Sequence, residues 1–227
     1  MKVFIIFLAY QILSLCAIPF FLIYILLRKF RKKSVFGSLK DRLGFCIKSN
    51  KNKRIVWIHA VSVGEILSVQ YMINTIKARY TNVECYITTG TLAGKNIAKQ
   101  ALCADHVSFL PYDFLLPMII AFHRIKPNVL IAVEAELWPN LFLIAHYKSI
   151  PAYLINARIN PKSKSKIHFF KSFFSPILNT LNQILAQSQA DLEAFKKLDV
   201  KSSKISLLGN IKAFNVLEKK RKFPHFS

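Results

Sequence analysis

Apolar positions run almost unbroken from Val3 to Leu27, with no charge among them and only Gln11, Ser14 and Pro19 as mild interruptions. A helix over such a stretch is long enough to cross the roughly 30 Å hydrocarbon layer of a bilayer, and one proline does not prevent it. The alternative is a buried core helix, but that should carry a polar face, and this segment has none. The run also exceeds the length of a signal-peptide core, and no small-residue cleavage pattern follows it, so the expectation is an uncleaved anchor.

Beyond Lys53 the pattern changes to short apolar runs alternating with helix-length segments. Strands are predicted at Ile55–Val61, Glu84–Thr88, Val107–Leu110, Val129–Val133, Ala152–Ile155, Gln183–Ala186 and Ile205–Leu208. Helices are predicted at Glu65–Tyr80, Ala93–Ala101, Leu115–Ile125, Leu137–His146, Ser163–Leu181 and Gln189–Lys197. Strands that are apolar on both faces, each followed by a helix, indicate a parallel sheet covered on both sides. The fold class is therefore α/β, a Rossmann-like doubly wound parallel sheet preceded by a transmembrane helix.

The divisions follow from these changes of pattern. Residues 1–33 form the anchor and its basic flank, and residues 34–52 a basic linker, with a short helix expected around Leu39–Phe45. Residues 53–214 form the sheet domain, and residues 215–227 a basic tail.

Charge adds a location. Thirty-three Lys and Arg against eleven Asp and Glu give a net charge of +22. The densest basic block, Arg28 to Arg54, begins at the end of the apolar run, which places that end on the cytoplasmic side of a membrane. Anionic lipid or a phosphorylated substrate fits such a surface. Nucleic acid is not expected, because no recognition helix, zinc pattern or aromatic stacking platform accompanies the charge. Cys16, Cys46, Cys85 and Cys103 have no paired spacing and read as free thiols. The histidines show no metal-ligand spacing, and neither a metal nor a cofactor is expected.

In an open parallel sheet, ligands bind at the carboxyl ends of the strands. Those ends here read Ser62-Val63-Gly64-Glu65, Thr88-Thr89-Gly90-Thr91-Leu92-Ala93-Gly94, Pro111-Tyr112-Asp113, Glu134-Ala135-Glu136, Asn156-Ala157-Arg158 and Gly209-Asn210-Ile211-Lys212. Glu65 opens a helix. It is either a first-turn acid serving the helix dipole or a general base beside a glycine that lets a substrate approach. Glu134 and Glu136 share a side if the strand persists that far, and either could instead pair with Arg158 or Lys212. The Gly90–Gly94 run is at most a loose phosphate loop and is explained as well by a tight strand-to-helix turn. His59 reads as a hydrogen-bonded core residue. No Gly-x-Ser-x-Gly elbow is present.

Read in order, these pieces resemble the 3-deoxy-D-manno-octulosonic acid (Kdo) transferases of lipopolysaccharide synthesis. The matching segments are Arg42-Leu43-Gly44-Phe45, Trp57 to Glu65, Thr88 to Gly94, Leu110 to Asp113, Glu134-Ala135-Glu136-Leu137-Trp138-Pro139-Asn140, Asn156-Ala157-Arg158 and Gly209-Asn210-Ile211-Lys212. Alanine at position 135 departs from the threonine common there. The resemblance implies a membrane-anchored GT-B glycosyltransferase that moves Kdo from CMP-Kdo onto a lipid A precursor, without a metal. It implies catalytic roles for Glu65 as proton acceptor and for Glu134 and Lys212 in stabilising the transition state. Ser62, Gly64, Asn156 and Arg158 are expected on the acceptor side, and Glu136 in structural support.

In that family a donor-binding domain follows Gly-Asn-x-Lys, whereas this sequence continues for fifteen residues after Lys212. The expectation is thus a truncated or split N-terminal half at the inner membrane, facing the cytoplasm, with a separately encoded donor-binding half as the partner of a split enzyme. Two alternatives stand beside it. One is an inactive membrane-tethered module that binds anionic lipid. The other is a different membrane-associated GT-B transferase, such as one acting on a lipid-linked cell-wall precursor.

Overall fold

A computed structural model describes residues 2–30, 39–50, 52–101, 104–134, 137–159 and 169–211. The expected tail and Lys212, Glu136, Ala135 and Cys103 lie outside the described residues.

Seven parallel strands form one sheet in the order β3-β2-β1-β4-β5-β6-β7. They are β1 (Arg54–His59), β2 (Val83–Thr89), β3 (His106–Phe109), β4 (Val129–Val133), β5 (Ala152–Ala157), β6 (Gln183–Ala186) and β7 (Ile205–Leu207). Each lies within about two residues of its predicted place, because strands apolar on both faces have only one way to bury themselves. The helices are α1 (Lys2–Phe30), α2 (Leu39–Arg42), α3 (Val63–Ser68), α4 (Gln70–Arg79), α5 (Leu92–Ala101), α6 (Leu115–Ile125), α7 (Pro139–Tyr147), α8 (Lys171–Leu178) and α9 (Gln189–Lys197). One core layer gathers Trp57, Tyr86, Phe122, Leu130, Phe142 and Phe195 on one face of the sheet. The other gathers Ile58, Ile66, Ile73, Ile87 and Val133 on the opposite face.

One predicted helix is two. The expected Glu65–Tyr80 helix breaks at Val69, which ends α3 and precedes α4. The Ser68 hydroxyl donates to the Glu65 carbonyl at 2.6 Å, competing with the Val69 N–H for the same acceptor. Serine bonding back to its own helix disturbs the ladder at that turn.

The basic segment before the sheet packs on the domain rather than bridging open space. Asp41 takes Lys95 at 2.6 Å and the Phe109 N–H at 3.2 Å. Arg124 donates to the Cys46 carbonyl at 2.6 Å. Gly44 has φ +88°, and a Cβ there would stand 2.1 Å from the Pro117 carbonyl oxygen, so only glycine lets this segment approach α6.

Helix α1 spans 29 residues and keeps Pro19 inside it. Its stretch Lys2–Ile25 has a mean hydropathy of 2.3 and is only 11% buried, so it is not a core helix. It does touch the domain side-on. Phe7 meets Tyr147, Tyr10 meets Phe173, and Phe21 meets Tyr112 and Phe114 at 4.6 and 5.2 Å. Tyr10 donates to Asp113 at 2.9 Å, and Gln11 donates to the Asn140 side chain at 2.7 Å.

Candidate functional site at the strand ends

The strand order reverses between β1 and β4, which is where an open α/β sheet forms its ligand crevice. His59 pairs with Ala132, so Val61 and Glu134 each lie two residues beyond the same rung.

On the β1 side, Ser62 is the N-cap of α3 and accepts the Glu65 N–H at 3.3 Å. The Glu65 carboxylate reaches back, accepting the Ser62 hydroxyl at 2.9 Å and the Val61 N–H at 2.8 Å. This is a capping box shifted by one residue, with the acid only 7% exposed. The helix-cap reading of Glu65 is the one its contacts show: the carboxylate is held just beyond the end of β1. Gly64 is exposed in the first turn beside it.

On the β4 side, the strand stops at Val133, one residue before Glu134. Glu134 has φ +64°, a left-handed conformation that is strained for a residue other than glycine. Its neighbour across the sheet, Asn156, has φ +50°, a region asparagine tolerates better. Glu134 is 3% exposed and pairs with Arg158 at 2.6 Å. Asn156 is fully buried; its amide donates to Glu134 at 3.5 Å and accepts the Ile211 N–H at 3.2 Å. The structure thus joins Glu134, Asn156 and Arg158, and it fixes the backbone at Ile211 beside them. Asn156 thus bridges Glu134 and the Ile211 backbone.

The turn after β2 is a packing device. A Cβ at Gly94 would lie 2.5 Å from the Thr89 hydroxyl, and the Gly94 N–H donates to the Thr91 hydroxyl at 3.0 Å. His59 is fully buried, with Nδ1 3.1 Å from both the carbonyl and the hydroxyl of Thr88.

Between the ends of β1, β2 and β3 opens a pocket of about 280 Å³, walled by Arg42, His59, Gly90, Tyr112, Asp113 and Trp138. Arg42 donates to the Leu110 carbonyl at 2.9 Å and the Gly90 carbonyl at 2.6 Å, and lies over the rings of Phe109 and Tyr112. Asp113 accepts the Asn140 and Leu141 N–H groups at 3.1 and 3.2 Å, capping α7, together with the Tyr10 hydroxyl. Burial outweighs these hydrogen bonds and raises the Asp113 pKa to about 7. Arg42 and Asp113 were legible only as members of short motifs; what they touch depends on tertiary contacts between segments 48 to 103 residues apart. Cys46 and Cys85 are buried, with thiol pKa values pushed up to about 11, as befits inert core thiols.

Residues 37–215 match the family model described as 3-deoxy-D-manno-octulosonic-acid transferase (kdotransferase). A 3-deoxy-D-manno-octulosonic acid transferase of Rickettsia bellii is 30% identical over 208 residues, covering 91% of this chain and 49% of that protein. The corresponding protein of Haemophilus influenzae is 27% identical over 210 residues, covering 89% and 48%. The chain thus spans about half the length of these curated relatives. Among solved structures, a UDP-GlcNAc 2-epimerase from Neisseria meningitidis superposes with a TM-score of 0.53 at 13% identity, over 77% of this chain and 55% of that one. That likeness is one of fold.

Proposed function

The chain belongs to the Kdo transferase family, and on that footing we propose that its domain forms the acceptor side of a glycosyltransferase moving Kdo from CMP-Kdo onto a lipid A precursor. The observation that carries the reading is the placement of two buried carboxylates, Glu65 and Glu134, at the ends of neighbouring strands β1 and β4. In this reading Glu65 accepts the proton of the acceptor hydroxyl as its oxygen bonds to the anomeric carbon. The bond from that carbon to the CMP phosphate oxygen breaks, and CMP leaves with the electron pair. A carboxylate suits the first task because a sugar hydroxyl is a poor nucleophile until its proton has somewhere to go. Glu134, oriented by Arg158 and Asn156, and Lys212 balance the charge that develops, as preorganised charges do best.

The relatives are about twice as long, and donor binding is assigned in this proposal to a second lobe, whether joined to this chain or separate. Helix α1 holds the domain on the inner membrane with its strand ends on the cytoplasmic side, and the basic surface suits a phosphorylated lipid. Ser62 and Gly64 line the approach to Glu65.

The test is Kdo addition to a lipid A precursor by the purified chain in detergent with CMP-Kdo, with and without a second lobe supplied from a relative. Transfer that is lost in Glu65→Gln supports the reading. Transfer unchanged in that variant removes the assigned base. Absence of transfer in both arms, with lipid A precursor still bound, favours a membrane-tethered lipid-binding module instead.

A further inference from the structure

A cavity larger than the strand-end pocket lies elsewhere among the described residues. It is a groove of about 460 Å³ between α1 and α6, lined by Leu15, Ile18 and Leu22 on one side and Leu115 and Ile119 on the other, with Tyr112 at one end. Its volume lies in the range of about 300–1,000 Å³ typical of sites for one small molecule. We propose that this groove holds an acyl chain of the acceptor lipid whose head lies in the polar pocket at the strand ends; the inference rests on the function proposed above.

Three features point to that occupant. The walls are almost wholly apolar, so only a hydrocarbon gains by entering. Both walls belong to the apolar surface that a membrane would cover. Of α1, Leu15 and Leu22 are 65% and 53% exposed, and of α6, Leu116 and Ile119 are 67% and 41% exposed. Third, Tyr112 lines both this groove and the pocket that contains Arg42, His59 and Asp113. A ligand that extends from the groove past Tyr112 meets polar groups chiefly in the second pocket. Arg42 stands on the polar side of Tyr112, its guanidinium over that ring, which suits an anionic head. A bulk phospholipid also carries a phosphate, but it lacks the sugar hydroxyls that the polar groups beside Arg42 would meet. An acylated, phosphorylated sugar has reason to occupy both.

The test reads position rather than turnover. The full chain in phosphatidylcholine nanodiscs is irradiated with a lipid A precursor bearing a diazirine in one acyl chain, and the adducts are mapped by peptide mass spectrometry. Adducts are expected between Leu15 and Leu22 and between Leu115 and Ile119, and excess unmodified precursor should displace them. Ile119→Trp and Ile18→Trp, which fill the groove from opposite walls, should each lose most of the label. Ile12→Trp, exposed on α1 and outside the groove, should keep it. Melting curves identify which variants are folded, and either filling variant alone decides the outcome. Label confined to other parts of α1 overturns the proposal. So does equal groove labelling by diazirine phosphatidylcholine that excess precursor fails to displace. No donor is present, so a chain that labels in the groove yet transfers no Kdo loses the proposed activity and keeps this site. A chain that transfers Kdo but labels elsewhere loses only the site.

Discussion

Ser62 and Glu65 hold each other. The serine oxygen accepts the Glu65 N–H at 3.3 Å, and its hydroxyl donates to the Glu65 carboxylate at 2.9 Å. A residue proposed as a base is therefore also a structural element of the helix it starts, and any substitution there is read twice, once in stability and once in activity.

Replacing Ser62 by alanine removes the cap and should cost about 0.5–2 kcal/mol of stability. Ser62→Asp, which keeps a side-chain acceptor at the N-cap but sets a like charge beside Glu65, should recover part of that stability. Urea midpoints of the three proteins check both statements.

Glu65→Gln keeps an amide oxygen that accepts the Val61 N–H but has no basicity. Loss of a positioned general base lowers turnover by about 10²–10⁴-fold. The melting temperature should fall far less than in Glu65→Ala. Equal losses of activity and stability in both variants would mean that the carboxylate serves only the cap.

Arg158→Ala should be more damaging than Arg158 on the surface suggests, because it leaves the buried Glu134 carboxylate without its 2.6 Å partner. An uncompensated charge-assisted hydrogen bond costs about 1–3 kcal/mol or more. The double variant with Glu134→Gln should be more stable than Arg158→Ala alone, and a double-mutant cycle in thermal unfolding measures the coupling.

Asp113 makes stability depend on pH. Its carboxyl has a pKa of about 7 in the fold, against about 3.9 in an unfolded chain. The folded state thus binds the proton more tightly, so this group's contribution falls as pH rises from about 4 through about 7 and is constant above. The slope cannot exceed about 1.4 kcal/mol per pH unit. Asp113→Asn should flatten it between pH 5 and pH 8, as read from unfolding midpoints.

Gly44→Ala forces a Cβ to within 2.1 Å of the Pro117 carbonyl from a left-handed backbone. The segment 39–50 should release from α6. Faster amide exchange there, with the sheet amides unchanged, is the expected result.

The sheet was legible because seven mostly apolar runs leave little choice of partner layer, and Val129–Val133 and Gln183–Ala186 match their predicted limits. The candidate site was legible as a set of residues and less so as geometry. Nothing local to Glu134 announces a left-handed backbone, which surrounding contacts impose. The condition for Glu134 and Glu136 to share a side, a strand that persists past Val133, is not met at Glu134. The break at Val69 depends on one serine hydroxyl choosing its own helix, a competition that periodicity does not register. The segment before β1 read as a linker because its charge hid Asp41, Gly44 and Cys46, the three residues that seat it.

The Tyr10–Asp113 and Gln11–Asn140 bonds have a mechanical meaning. Asp113 stands at the rim of the sheet, so α1 is joined to the rim itself and not to the far end of a leash. The two bonds act as a bracket that ties the height of the rim to α1, and a lipid would arrive at the depth this bracket sets.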